Sequence, residues 1–374
     1  MMKIIVSPDS FKGSLDAETV AETICSTIKQ VHPTFNVTAL PVADGGEGTL
    51  ESLVKATNGH FIHTTAQNPL QQNIETYYGV LGLEQRYMIE MAKVSGLPLI
   101  HQHERNPLLT TTYGTGELIR HALDQGARDF IIGIGGSATN DGGLGMLRAL
   151  GMKFYDAMQH EITVPRDLHL LSSIDDRAFD TRIAECHFTI ACDVDNPFVG
   201  PNGASAVFGP QKGATEEMVK QLDANLTHFA DVIAASGRIK LHTVAGAGAA
   251  GGLGGAFLAF FPATLQSGID VVLDAIHFDD IISDADMVIT GEGKSDIQTL
   301  AGKAAMGILK RAKKHDVRTI LLSAIIEDRK ELAQHFSEIY AIVEGDVTAT
   351  MSLNHPVEHL SNKVREIMEI FKGE

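Results

Sequence analysis

Five glycine-rich turns punctuate this chain, and four of them carry acidic residues: Asp44-Gly-Gly-Glu47-Gly48, the run from Gly135 to Gly143 with Asp141, Asp193-Val-Asp195 ahead of Gly200, and Gly291-Glu292-Gly293 ahead of Asp296. The fifth, 246–255, is glycine and alanine around one leucine. Such turns set bare backbone N–H groups beside carboxylates, which suits a phosphate on one side and a divalent cation on the other. That pairing is the chemistry of phosphoryl transfer.

Each turn has a candidate role and a plainer alternative. Lys12 lies in Ser10-Phe-Lys-Gly-Ser14 just before a helix, where free N–H groups, the helix dipole and an ammonium all favour an anion, either a phosphate or a substrate carboxylate. The alternative makes Ser10 and Ser14 helix caps and Lys12 a solvated surface charge. Asp44 follows a strand and could hold Mg2+ or accept the proton of an acceptor hydroxyl, or simply cap the next helix. The segment after Phe130 to Ile134 is too rich in glycine and polar residues for simple chain reversal. There Gly135, Gly136, Ser137, Thr139, Asn140, Gly142 and Gly143 could cradle a triphosphate, with Asp141 reaching the metal and Thr115-Gly116-Glu117 as a neighbouring wall. Asp193 and Asp195 alternate on an extended segment and so share a side, where two carboxylates repel unless a proton or cation lies between them. An Asx turn before Pro197 is the plainer use. Lys212 is a second candidate cation, and Asp296 completes the acid set unless it only caps a helix.

The elements that must position these residues follow from periodicity. Lys3 to Ser7 reads as a buried strand, Val20, Ile24, Ile28 and Val31 recur at helical spacing, and Val37 to Val42 reads as a second strand before a helix at 49–56. Phe61 to Thr65, Asn73 to Leu81 and Gln85 to Met91 read as a meander. Strand and helix alternate again from Met287 to Phe371. These patterns predict an α/β protein: a doubly wound parallel-sheet domain from residues 1–60 and 285–374, with a mixed α/β domain, 61–284, inserted and an active-site cleft expected between them.

Composition narrows the partners. With 374 residues and 44% hydrophobic content the chain can bury two cores, and a net charge of −17 argues against a nucleic-acid or anionic-membrane partner. Small anionic substrates remain compatible, since a few local cations override the global field. Cys25, Cys186 and Cys192 form no C-x-x-C pair, sixteen histidines show no metal spacing, and the N-terminus lacks a signal-peptide pattern, which together point to a cytoplasmic enzyme. Residues 243–269 carry no charge, but the glycines and Pro262 argue for a loop feeding a buried helix at 256–261 instead of a membrane span. No heptads or long apolar stripe announce a partner, so the oligomeric state, monomer or homodimer, is not legible.

Two nucleotide motifs are near misses. Gly293-Lys294-Ser295 resembles the end of a P-loop, but Val288 stands where its first glycine belongs. Gly246-Ala-Gly248-Ala-Ala-Gly251 fits the dinucleotide fingerprint, yet further glycines up to Gly255 leave no ordinary helix for a pyrophosphate.

Taken in order, SPDSFKGSL (7–15), PVADGGEGT (41–49), TTYGTGELI (111–119), IGIGGSATNDGGLGMLRALG (132–151), ACDVDNPFVGPNGASAVFGPQKGA (191–214), GAGAAGGLG (246–254) and GEGKSDIQTLAGKA (291–304) resemble the type I glycerate kinases across nearly the whole chain. The resemblance implies two α/β domains, ATP and Mg2+, and glycerate as acceptor. It further implies 2-phosphoglycerate as product, within glycerate, glyoxylate or sugar-acid catabolism. It departs at Lys294-Ser295, at Ala305 and at Ser323-Ala324-Ile325. On this reading Lys12 binds an anion, Asp44, Asp193 and Asp296 surround metal and hydroxyl, and residues 135–143 hold nucleotide phosphate. The rivals are 3-phosphorylation, a dinucleotide-dependent oxidoreductase using residues 246–251, and a non-catalytic ligand sensor.

Overall fold

The structure is a computed structural model that describes residues 2–42, 48–82 and 85–371. In chain order its main strands are β1 (Lys3–Val6), β2 (Asn36–Ala39), β3 (His60–Gln67), β4 (Asn73–Val80), β5 (Tyr87–Glu90), β6 (Asp129–Gly133), β7 (His187–Ala191), β8 (Ala263–Gln266), β9 (Met287–Thr290), β10 (Arg318–Ser323) and β11 (Glu338–Ala341). The chain divides into two compact units, Met1–Asp44 with Ile269–Glu374, and Gly45–Gly268. Helix Thr49–Ala56 goes with the second unit because Leu50 and Val54 close directly over Gly79 of β4, where a Cβ would come within 2.8 Å of both side chains. Residues 269–284 go with the first, since Arg311 pairs with Asp270, Asp274 and Asp279, and Ile269 packs on Gly307.

The first unit holds a parallel sheet ordered β11-β10-β9-β1-β2. Neighbouring residues of β10 serve opposite faces: Ile320 and Leu322 join Ile4, Val6 and Ile289 in one core, and Leu321 joins Ala305, Leu309, Leu332 and Phe336 in another. Parallel strands buried on both faces read as continuous apolar runs, which is why IIV and ILL were legible as strands. Helix Ala17–Val31 covers the first face through Val20, Ile24 and Ile28, spaced one turn apart, and Asp16 starts it by accepting from the N–H of Thr19 at 2.7 Å. Helix Pro356–Ile370 lies on the same face through Leu360, Val364 and Ile367. Burying each such side chain contributes about 1.5–3 kcal/mol. β2 stops at Ala39, short of the expected Val42, because Pro8 on the neighbouring strand has no N–H to offer the Leu40 carbonyl, which accepts from Ser7 Oγ at 2.8 Å instead; Leu40 and Val42 still donate to Val6 and Pro8.

This strand order has one consequence for function. From β1 the chain moves to β2 on one side, while β9 pairs with β1 on the other. The order therefore reverses between β1 and β9, and the connections that leave their carboxyl ends lead to helices on opposite faces of the sheet, which leaves a crevice, the usual ligand position in open α/β sheets.

The second unit holds a six-stranded sheet ordered β8-β7-β6-β5-β4-β3. β5 to β8 are parallel, and β3 and β4 complete the antiparallel meander expected from residues 61–91. Phe130 and Phe188 stack at 4.6 Å between ring centroids in its core, with Phe257 and Phe261 against Phe188. The glycine run forms more helix than expected: the helix spans Ala249–Phe260, broken by left-handed Ala250, Gly251 and Gly252. Its glycines permit close approach, since a Cβ on Gly251 would sit 2.0 Å from the Thr139 carbonyl and one on Gly255 2.7 Å from the Phe198 ring. A Cβ on Gly248 would likewise meet Pro197 O at 2.1 Å, so protein backbone takes the space a bound pyrophosphate would need and the dinucleotide reading fails. Among the described residues no helix is long and apolar enough to cross a membrane.

Candidate active site

The crevice of the first unit is built by two turns that lean on each other. Past β1, Ser7 and Asp9 continue the ladder by donating to Ile289 and Gly291, both at 2.8 Å. Asp9 then accepts from the N–H of Ser10 at 2.6 Å, and the chain folds back between Phe11 and Leu15 through left-handed Gly13. Phe11 is buried and anchors the turn, while Lys12 at its tip is exposed. Past β9, Gly291 passes so close to β10 that a Cβ would lie 1.7 Å from Leu322 O, and one on Gly293 would lie 3.1 Å from the Lys12 backbone nitrogen. The Gly-Glu-Gly sequence is thus a packing requirement that delivers Glu292 to the crevice wall.

The result is a cavity of about 440 Å³ lined by Asp9, Ser10, Lys12, Glu292, Lys294, Asp296 and Lys303, among others. Glu292 accepts from Thr299 Oγ1 at 2.6 Å and Ser295 Oγ at 3.3 Å, and Lys303 Nζ stands 3.5 Å from its other oxygen. Asp296 caps the short 3-10 helix Ile297–Ala301 by accepting from the Gln298 N–H at 2.9 Å, with Lys294 Nζ 4.0 Å away. Capping and lining the cavity are both true of it. Three ammonium groups, Lys12, Lys294 and Lys303, gather here in a chain whose net charge is −17; Lys294 is paired with Glu327 at 2.9 Å, which leaves Lys12 and Lys303 as the cations best placed to receive an anion.

The metal question can be put to this wall. Its donors are all oxygens, and among the described residues no group of three or more His, Cys, Asp or Glu is arranged to cage an ion. An all-oxygen donor set is the kind that fits Mg2+, which usually takes one or two carboxylates plus phosphate oxygens and waters.

The residues expected to hold the triphosphate are placed differently. Gly135 and Gly136 are exposed, but Ser137 is nearly covered and Thr139, Asn140, Gly142 and Gly143 are buried. The N–H of Gly142 donates to Gly251 O at 3.0 Å, and a Cβ on Gly143 would meet that of Ala256 at 2.4 Å. Two glycine runs are therefore packed face to face, which withdraws Thr139, Asn140, Gly142 and Gly143 from any ligand.

Asp141 is corrected with them. It is fully buried, and its carboxylate accepts from the N–H groups of Thr112 (2.9 Å), Gly143 (3.0 Å) and Gly145 (3.0 Å) and from Thr112 Oγ1 (2.8 Å). Burial raises its carboxyl above the usual range and these bonds pull the other way. With both oxygens committed it ties loops together and is not a metal ligand. Lys212 is also buried, donating to Ser137 Oγ at 2.6 Å and Thr139 O at 2.7 Å, so it braces the loop from inside and does not bind substrate. The Thr115 wall is likewise internal, with Thr115 Oγ1 2.8 Å from Ser95 Oγ.

Asp193 and Asp195 are exposed just beyond the carboxyl end of β7, and Asp193 accepts from the Gly268 N–H at 2.8 Å. Asp44 lies outside the described residues. Sequence reasoning passed over Asp9, Glu292 and Lys303 as site residues. Asp9 and Glu292 were findable, each following a buried strand beside a turn. Lys303 gave only the weak signal of a glycine before a helix.

Lys212 makes a pH prediction. Burial lowers its ammonium from the ordinary lysine range to about 7, with Asp141 opposing the shift. Between about pH 7 and the ordinary value the unfolded chain holds a proton that the folded chain lacks, so stability rises with pH across that window. Below it both states are protonated and the buried charge weighs fully on the fold. Urea unfolding at pH 7 to 9 should show this rise in the native chain and a flatter profile in Lys212→Met; parallel profiles would refute it.

The model of the glycerate kinase family matches residues 4–372. A glycerate kinase of Bacillus subtilis (strain 168) is 47% identical over 374 residues, covering 99% of this chain and 98% of the relative. A glycerate 2-kinase of Escherichia coli (strain K12) is 46% identical, covering 87% and 86%. A crystal structure assigned to glycerate kinase 2 of Salmonella typhimurium LT2 superposes with a TM-score of 0.89 at 43% identity, covering 99% and 98%.

Proposed function

The chain belongs to the glycerate kinase family and is a kinase; from that premise we propose that it transfers the γ-phosphoryl group of ATP to the 2-hydroxyl of D-glycerate. The observation that carries the reading is the lysine-lined cavity at the sheet's switch point, because both substrates are anions and an acidic protein must gather cations locally to receive either. Lys12 and Lys303 neutralise phosphate or carboxylate oxygens there, with Ser10 as a hydrogen-bonding partner. Asp9 and Asp296 would hold Mg2+, which when bound spreads the charge of the phosphates. Glu292 positions Lys303, its own carboxylate being held by Thr299 and Ser295.

Asp193 is proposed as the acceptor of the hydroxyl proton, with Asp195 beside it on the substrate. Its carboxylate stands at a strand's carboxyl end and the Gly268 N–H orients it. Asp193→Asn should retain its fold by circular dichroism and lose about a hundredfold in turnover. Near-native turnover would remove Asp193 from the scheme.

The 2-phosphate product rests on the resemblance and on the printed name of the Escherichia coli relative. We also place the enzyme in the cytoplasm, in keeping with its ATP donor and its free Cys25, Cys186 and Cys192. Incubation with ATP, Mg2+ and each glycerate enantiomer, followed by phosphorus NMR, tests donor, enantiomer and position together. A product carrying phosphate on the terminal carbon would overturn the 2-hydroxyl, and no transfer at all would overturn the donor or the acceptor.

A further inference from the structure

The cavity of the first unit extends beyond its charged wall, and its lining changes character along the sheet edge. Strand order fixes that change: Lys12 follows β1, Glu292 and Lys294 follow β9, Ala324 and Ile325 follow β10, and Ile342 and Val343 follow β11. From β1 to β11 is three strand spacings of about 4.8 Å, or roughly 14 Å along the carboxyl edge. Charged groups therefore stand at the β1 and β9 end and aliphatic ones at the β10 and β11 end. Helix Ala349–Asn354 completes the aliphatic end with Leu353, which lines the cavity yet is 58% exposed. Ile325 and Val343 on the same lining are half-buried. Partly uncovered aliphatic side chains that share a cavity gain by being covered with an apolar surface.

Size and chemistry decide what that surface is. Glycerate is a three-carbon hydroxy acid with no apolar group, so the charged end alone would serve it. A nucleoside triphosphate carries its anionic charge at one end and an uncharged aromatic base at the other, and the two ends of this cavity match that order. The backbone N–H groups of Ile325, Ile342 and Val343 donate to Gly293, Ser323 and Ala324 at 3.0, 3.0 and 2.9 Å, so a base is held there by contact with its faces and not by those donors.

We infer that this cavity takes the nucleotide and not the acid, with the phosphates against Lys12 and Lys303 and the adenine base against Ile325, Val343 and Leu353. The inference rests on the reading of ATP as phosphoryl donor and deepens it, since it gives helix Ala349–Asn354 a part in nucleotide binding.

The chain contains no tryptophan, so Leu353→Trp sets a single indole at the aliphatic end, at a position already exposed enough to accept it. Its fluorescence should be quenched saturably by ADP, through stacking of the base, and stay unchanged with inorganic triphosphate and with glycerate. In Leu353→Asp, which removes the apolar contact and adds a like charge, the KM for ATP should rise about tenfold while the KM for glycerate holds. An indole silent towards ADP, an indole that responds to glycerate, or a native KM for ATP in Leu353→Asp would each overturn the inference. Should phosphorus NMR show no transfer from ATP, the donor reading falls by itself, and quenching by ADP would still place a base against Leu353.

Discussion

Replacing Asp141 by alanine is expected to lower folding stability by about 3–5 kcal/mol, the range for breaking a buried charged network. Four donors would lose their acceptor at once: the N–H groups of Thr112, Gly143 and Gly145 and the Thr112 hydroxyl. The Lys212 ammonium would lose its nearby counter-charge in the same step. Because the network joins residues 112 and 145 across the helix Tyr113–Asp124, the damage should be global to the second unit and visible as an early urea transition. A metal ligand behaves otherwise, leaving stability in metal-free buffer nearly unchanged and weakening the Mg2+ dependence of activity. That second pattern in Asp141→Ala would restore the metal role set aside above.

Lys12→Ala should do the reverse, sparing the fold and impairing the chemistry. The turn that carries Lys12 is held by backbone bonds from Phe11 to Leu15 and from Ser14 to Phe11, each at 2.8 Å, and by the buried Phe11 ring. Lys12 is exposed, so the stability change should stay within about 0.5 kcal/mol, as for an ordinary surface substitution. Removing one of the three cations facing the cavity should reduce kcat/KM by about 10²–10³, the range for deleting a preorganised donor at developing charge. Lys12→Arg should recover part of it. Separate kcat and KM values for ATP and glycerate provide the check, and native values for both would return Lys12 to the solvated surface.

The framework was legible because its physics is local. Residues 3–7, 287–290 and 319–324 are unbroken apolar runs, the pattern that strands buried on both faces require, and helix 17–31 shows its buried stripe at positions one turn apart. The Lys12 turn and the Gly-Glu-Gly turn could be singled out for the same reason, each being punctuation at the end of such a run. Reading residues 135–143 as a phosphate cradle met a non-local fact at Thr139, Asn140, Gly142 and Gly143, which are buried, while Gly135 and Gly136 stay exposed. Glycine allows close approach equally to a ligand and to another backbone, and the partner here is the glycine run a hundred residues later.

The amino-acid order by itself therefore determined the α/β class, the run of strands and turns, and the family, since hydrophobic period, turn chemistry and motif order are all written along the chain. Which polar residues face a cavity was decided only in three dimensions. Asp141 and Lys212 are as polar on paper as Asp9 and Lys303, yet the first pair is sealed under packed glycines and the second lines an open crevice. Burial is a property of what folds over a residue, and for these residues that covering comes from distant parts of the chain.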